Sequence, residues 1–172
     1  MDTNTLHTST LEKLYGPVEC EIIRQDDKIR VVHLKDKKGV SRTVGVVKFF
    51  NTDHKPIEAV HKRIIEGGLL GKTLQKFKID YKKEIIGALP VRLPDWIKND
   101  FLIDEEHSIA LISNIKIEIS SGEQLLYTKI IEVLPPELSS GHVHDIIQKQ
   151  DVDKDLLALF ESVDLLIENI IL

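Results

Sequence analysis

The twenty residues KIRVVHLKDKKGVSRTVGVV, positions 28 to 47, constrain the fold more than any other stretch. Two runs rich in β-branched residues flank the polar turn DKKG, which is the pattern of an antiparallel hairpin. Alternate residues of a strand share a face, so Arg30 falls beside Val32 and Leu34, and Arg42 beside Val44 and Val46. A guanidinium stays charged and is costly to bury without an anion. Two arginines on apolar strand faces therefore call for anionic partners.

The hairpin has neighbours of its own kind. VECEIIRQ precedes it, after a short helix expected over residues 8 to 15 with Ser9 or Thr10 as its cap and Gly16-Pro17 as its stop. Further on, HSIALISNIKIEIS and LLYTKIIEVLP flank the turn SGEQ and form a second pair, ended by Pro135-Pro136. Strands are thus expected near 18–24, 28–35, 41–49, 109–119 and 124–134. Between the two pairs the period changes. Ile57, Val60, Ile64 and Ile65 have helical spacing up to Gly67-Gly68, and LLGKTLQKF reads as a second short helix or turn. KIDYKKEIIGALPV reads equally as a strand or an irregular connection, and RLPDWIKNDF as a loop with a helical turn. From Glu137 the pattern is helical. Leu156, Leu159, Phe160, Val163, Leu166, Ile167 and Ile170 make an apolar stripe along one expected helix, 153–172. The sum is an α+β fold: an antiparallel sheet with helices packed mainly on one face.

Composition sets the limits of function. The 172 residues suffice for one domain with a substantial core. A net charge of −5 argues against a broad nucleic-acid surface, though not against a small anion site. Cys20 alone makes neither an internal disulfide nor a thiolate cluster. Glu19 and Glu21 beside it disfavour a thiolate, so it reads as a small core residue. The opening MDTNTLHTST has no signal-peptide core and no run is long enough to span a bilayer, so a cytoplasmic protein without a membrane partner is expected.

Three motifs bear on chemistry. His142 and His144 in GHVHD stand two apart with no third ligand near in sequence, which suits a solvated helix start better than a metal site. GGLLGKT lacks the glycine a phosphate loop needs at position 66, which is glutamate, and it follows a helix rather than a strand. That leaves Arg30, Arg42 and Glu132. The last shares its strand face with Thr128, Ile130 and Leu134. By spacing alone this trio is either a site, a structural ion pair or a set of solvent-exposed positions.

The order of the segments resembles the chorismate lyase-like family (4-hydroxybenzoate synthases), in its archaeal and cyanobacterial branch. Four features carry the resemblance: Arg30 opening IRVVHLKD, the RTVGVV strand from Arg42, the Leu70-Gly71-Lys72 segment after a helix, and GEQLLYTKIIEVLP with Glu132 and Pro135. The likeness covers roughly residues 10–136, leaving 137–172 as a helical C-terminal extension of a single domain. It implies an antiparallel sheet with a buried ligand cavity and conversion of chorismate to 4-hydroxybenzoate and pyruvate without a cofactor. It also implies that Arg30 and Arg42 bind carboxylates, that backbone at Leu70 and Gly71 touches the ligand, and that an acid, with Arg42, serves catalysis. Counting forward from Gly122 puts Lys129 at the acid's place, while counting back from Pro135 gives Glu132 or its neighbour. The chemistry needs an acid and favours Glu132, with a bulge or short insertion between.

Two other classes stand beside the lyase. One is a non-catalytic, sensor-type domain of the same fold that binds a small aromatic acid. The other is an interaction protein whose apolar tail docks a partner. That tail can be buried on its own sheet or against the same helix in a second copy. Compact members of the family lack it, which tilts the expectation toward a homodimer with ordered Ile170, Ile171 and Leu172.

Overall fold

The computed structural model describes residues 7–168. A short helix, α1 (His7–Tyr15), leads into the meander β1 (Glu19–Gln25), β2 (Ile29–Lys35) and β3 (Ser41–Phe49). Helices α2 (Lys55–Ile65) and α3 (Leu70–Lys76) follow, then β4 (Tyr81–Arg92), α4 (Asp95–Phe101), β5 (His107–Glu118) and β6 (Gln124–Val133). A one-turn helix α5 (Pro136–Ser139), two 3-10 turns, α6 (Lys154–Ser162) and a two-residue strand β7 (Leu166–Ile167) complete it. The strands form one antiparallel sheet of seven, in the order β1-β2-β3-β6-β5-β4-β7.

The five expected strands are present, and the segment left open between strand and connection is a strand of 12 residues, β4. Helices cover both faces of the sheet, not mainly one. On one side Val47, Phe49, Ile115 and Ile130 pack against Ile57, Val60 and Ile64 of α2 and Leu74 of α3. On the other, Val44, Val46, Ile131 and Val133 pack against Ile97 and Phe101 of α4 and Leu156, Leu159 and Phe160 of α6. The cause is visible in the central strands. In β3, Val44 and Val46 alternate with Val47 and Phe49, so both residue parities are apolar and both faces need cover.

The C-terminal segment differs from the single helix expected over 153–172. Asp153 caps α6, its side chain accepting from the Leu156 N–H at 2.9 Å. The helix ends at Ser162, and Asp164 adopts the left-handed conformation (φ 59°), turning the chain into β7. β7 then pairs with Val91 and Arg92 of β4. The stripe residues Leu156, Leu159, Phe160 and Val163 are buried in the chain's own core, so they offer no free face to a second copy. Ile170, Ile171 and Leu172 lie outside the described residues. Among the described residues no helix is long and apolar enough to cross a membrane.

Candidate functional site

Arg30 is regular in β2 and its side chain leaves the sheet on the α2/α3 side, where it is buried. Nη1 donates to the carbonyls of Ile64 at 2.9 Å and Gly68 at 3.0 Å. These are the last acceptors of α2 and its exit loop, where the helix dipole is negative. The guanidinium therefore meets a helix C-terminus rather than a carboxylate. Nη2 only touches Cys20 Sγ at 3.5 Å, and Nε is buried with no partner. The Gly68 carbonyl can sit there because the residue is glycine: a Cβ would stand 2.9 Å from the Arg63 carbonyl and 2.6 Å from Thr73 Oγ1.

Glu132 comes from β6, the central strand of the seven. Between Leu126 and Thr128 the register against β5 shifts, which leaves Tyr127 as an extra residue. This one-residue bulge accounts for one of the three positions that separate Lys129 from Glu132. Beyond it Glu132 lies opposite Gly45 of β3, whose lack of a side chain leaves space above the sheet. Lys129 goes elsewhere: its ammonium pairs with Asp153 at 2.5 Å and Asp155 at 3.5 Å, beside α6.

Glu132 has a partner that the sequence did not reveal. Lys83 of β4, itself buried, places Nζ 3.2 Å from Oε1 and 3.4 Å from Oε2. Burial alone would push the Glu132 carboxyl up. The Lys83 ammonium, together with His7 and His142, more than offsets that, and the net shift is downward. His7 is half-buried at the N-terminus of α1 and shares a hydrogen bond with Thr43 Oγ1. Burial pushes its pKa down.

These groups surround one cavity of about 90 Å³. Arg30, Lys83, Glu132 and His7 line it together with the hydroxyls of Thr8 and Thr43, and Val32, Phe49, Ile115 and Ile130 supply much of its apolar wall. Leu70 and Gly71, in the first turn of α3, close one side, and Cys20 stands beside Arg30. Burial pushes the Cys20 thiol up, against thiolate formation.

Of the residues singled out in the sequence, Arg30, Leu70, Gly71 and Glu132 thus line one cavity, and Arg42 does not. Arg42 sits where the β2–β3 register shifts between Leu34 and Lys35, so alternation does not carry through to it. Its Nη2 lies 2.8 Å from Asp36 and its Nη1 3.5 Å from Glu137, and the guanidinium stacks 4.2 Å from the centre of the Tyr15 ring. Burial opposes ionisation of Asp36, but the Arg42 guanidinium and the Val40 and Lys38 N–H groups outweigh it and hold the carboxyl low. Arg42 is a structural clamp joining α1, the β2–β3 turn and the start of α5.

His142 and His144 both face Asp145, at 3.1 and 3.5 Å. Among the described residues no group of three or more His, Cys, Asp or Glu side chains is disposed to hold a metal. Lys72 of the GGLLGKT stretch pairs with Glu12 at 2.7 Å.

No family model matches the chain, and no curated protein matches it. Among solved structures it is similar to the C-terminal domain of Yurk from Bacillus subtilis subsp. subtilis str. 168. The two are 16% identical over 67% of this chain and 87% of that chain, with a TM-score of 0.33. A likeness at that level carries no argument about fold or function.

Proposed function

We propose that the protein is a cofactor-independent lyase of the chorismate pyruvate-lyase type, forming 4-hydroxybenzoate and pyruvate from chorismate. The observation that supports it is convergence. Arg30, Leu70, Gly71 and Glu132, four of the five residues that the resemblance implies for the site, lie far apart in the chain and line one cavity. In this reading the ligand's ring lies against Val32, Phe49 and Ile130, and its carboxylate meets the Arg30 guanidinium, whose buried Nε has no partner of its own. The reaction breaks the C4–H and C3–O bonds of the ring. The C4–H electron pair becomes the last double bond of the aromatic ring, the ether pair departs on enolpyruvate, and protonation at carbon gives pyruvate. The hydrogen on C4 and the ether on C3 lie on the same face of the ring. One carboxyl, once protonated, can therefore protonate the ether oxygen and then collect the C4 proton, and this reading assigns both roles to Glu132. Arg42 has no part in this reading.

A second reading has its own support. A cavity of about 90 Å³ is smaller than the roughly 150 Å³ that holds benzene in an engineered protein core, so any aromatic ligand must displace part of the wall. A sensor-type binder of one small aromatic acid fits that size better than an enzyme for a larger dianion. The deciding experiment is incubation of the purified protein with chorismate and direct detection of products. Equimolar 4-hydroxybenzoate and pyruvate, lost in Glu132→Gln, supports the lyase. Binding of 4-hydroxybenzoate with no turnover leaves the sensor reading.

A further inference from the structure

Lys83 carries a positive charge into the cavity from β4, a strand that contributes no other residue to its wall. Its contacts to Glu132, 3.2 and 3.4 Å, are longer than the 2.7–2.9 Å usual for a charge-assisted N–H···O bond. A lysine ammonium is a point charge on a flexible stem, suited to changing partners. Arg30 is different: Nη1 is committed to the Ile64 and Gly68 carbonyls, which fixes the guanidinium to α2. Of the two cations that line the cavity beside His7, Lys83 is the one not held by backbone carbonyls.

The size of the cavity forces a second step. In about 90 Å³ a ligand carboxylate has nowhere to sit that is far from Glu132. Two unit charges ~4 Å apart, at an effective dielectric constant of about 20, raise each other's proton affinity roughly a thousandfold. Two carboxylates confined in such a space with one mobile cation hold a proton between them.

Resting on the carboxylate-binding reading above, we propose that Lys83 exchanges partners when ligand enters, from Glu132 to the ligand carboxylate, and that Glu132 takes up a proton as it is released. Lys83 is then a specificity-determining residue, selecting anionic ligands, and binding itself generates the acid that the ether oxygen of an enolpyruvyl substrate needs. The charged and titratable groups facing Glu132 are Lys83 from β4, His7 from α1, His142 from the turn after α5, and, across the cavity, Arg30 on β2 and the Cys20 thiol on β1. His7 is the rival site for the proton, since an anion beside it also favours its charged form.

The test is calorimetric titration of the intact protein with 4-hydroxybenzoate near pH 6, in buffers of low and high ionisation enthalpy. The buffer dependence of the heat counts the protons taken up. The expected result is about one proton per ligand bound, retained in His7→Asn and absent in Glu132→Gln, with affinity lowered at least about tenfold in Lys83→Met. Infrared difference spectra of the unmodified protein give a second readout that needs no variant: a carboxylic acid band attributable to the protein appears on ligand addition. Binding without proton uptake, without that band, or with uptake that survives Glu132→Gln overturns the exchange and leaves the carboxylate reading standing. Absence of any binding overturns that reading, and the exchange falls with it.

Discussion

Arg30 and Arg42 look equivalent in the sequence, each on the apolar side of a strand, yet their surroundings differ. Arg30 is buried, satisfies two helix-end carbonyls and lines the cavity. Arg42 is half-buried, paired with Asp36 and Glu137 and stacked on Tyr15. Replacing Arg30 by alanine orphans the Ile64 and Gly68 carbonyls and should cost about 3 kcal/mol of stability, at the upper end for hydrogen bonds to a charged donor. It should also weaken 4-hydroxybenzoate binding. Arg42→Ala should cost about 1 kcal/mol, since the ion pairs it loses are partly solvated, and leave that affinity near its original value. Urea denaturation and calorimetry of the two variants check both halves. Alternation placed Arg30 correctly because β2 is regular there. It could not place Arg42, because one residue of register shift removes the relation between position and face.

At the level of elements, the least legible was β4, and with it Lys83. Its sequence, YKKEIIGALPVR, mixes charges, a glycine and a proline, and its register against β5 shifts between Ile85 and Gly87, which interrupts the two-residue period. The signal that was available is local: Tyr81 and Lys83 share a parity, and Tyr81 packs with the α2 core. Gly87 marks where the segment after α5 crosses the sheet. Ile146 bridges to Ala88, the Ile147 N–H donates to the Ala88 carbonyl at 3.0 Å, and a Cβ on Gly87 would fall 2.4 Å from Ile147 Cγ2. Gly87→Val should therefore destabilise by about 1–3 kcal/mol through overpacking, and it should do so by loosening this crossing. Hydrogen exchange, with protection lost first at Ile147, checks the location as well as the size. The α6 stripe was legible as apolar. That its cover is the chain's own sheet was not, because periodicity says that a face is buried and never against what.

For the whole molecule, the ionisable groups predict a stability plateau. His7 and His61 are held below the ordinary histidine value of 6.5 by burial. Their neutral forms are favoured in the folded state, so stability is complete above 6.5 and falls as pH drops below it. Glu132 is also lowered, adding a further loss as pH falls below the ordinary carboxyl value of 4.5. On the alkaline side Cys20 is raised above 9.0 by burial. Tyr15 is pushed up to about 12 by burial and its hydrogen bond to Glu137, and Tyr127 is raised by burial as well. Their neutral forms are favoured on folding, so stability declines as pH rises past 9 and then 10. Denaturant midpoints should be flat between about pH 6.5 and 9 and fall on both sides. A midpoint that rises on acidification from pH 7 to 5 contradicts the burial assigned to His7 and His61.

The central claim, that one cavity between the sheet, α1 and α3 receives a small aromatic carboxylate, is tested most directly by a crystal structure of the protein with 4-hydroxybenzoate. The account predicts the ring among Val32, Phe49 and Ile130, with the carboxylate at Arg30 and Lys83 and the Leu70–Gly71 turn against it. A ligand seated instead at Arg42, Asp36 and Glu137, or a cavity left empty at saturating ligand, contradicts it.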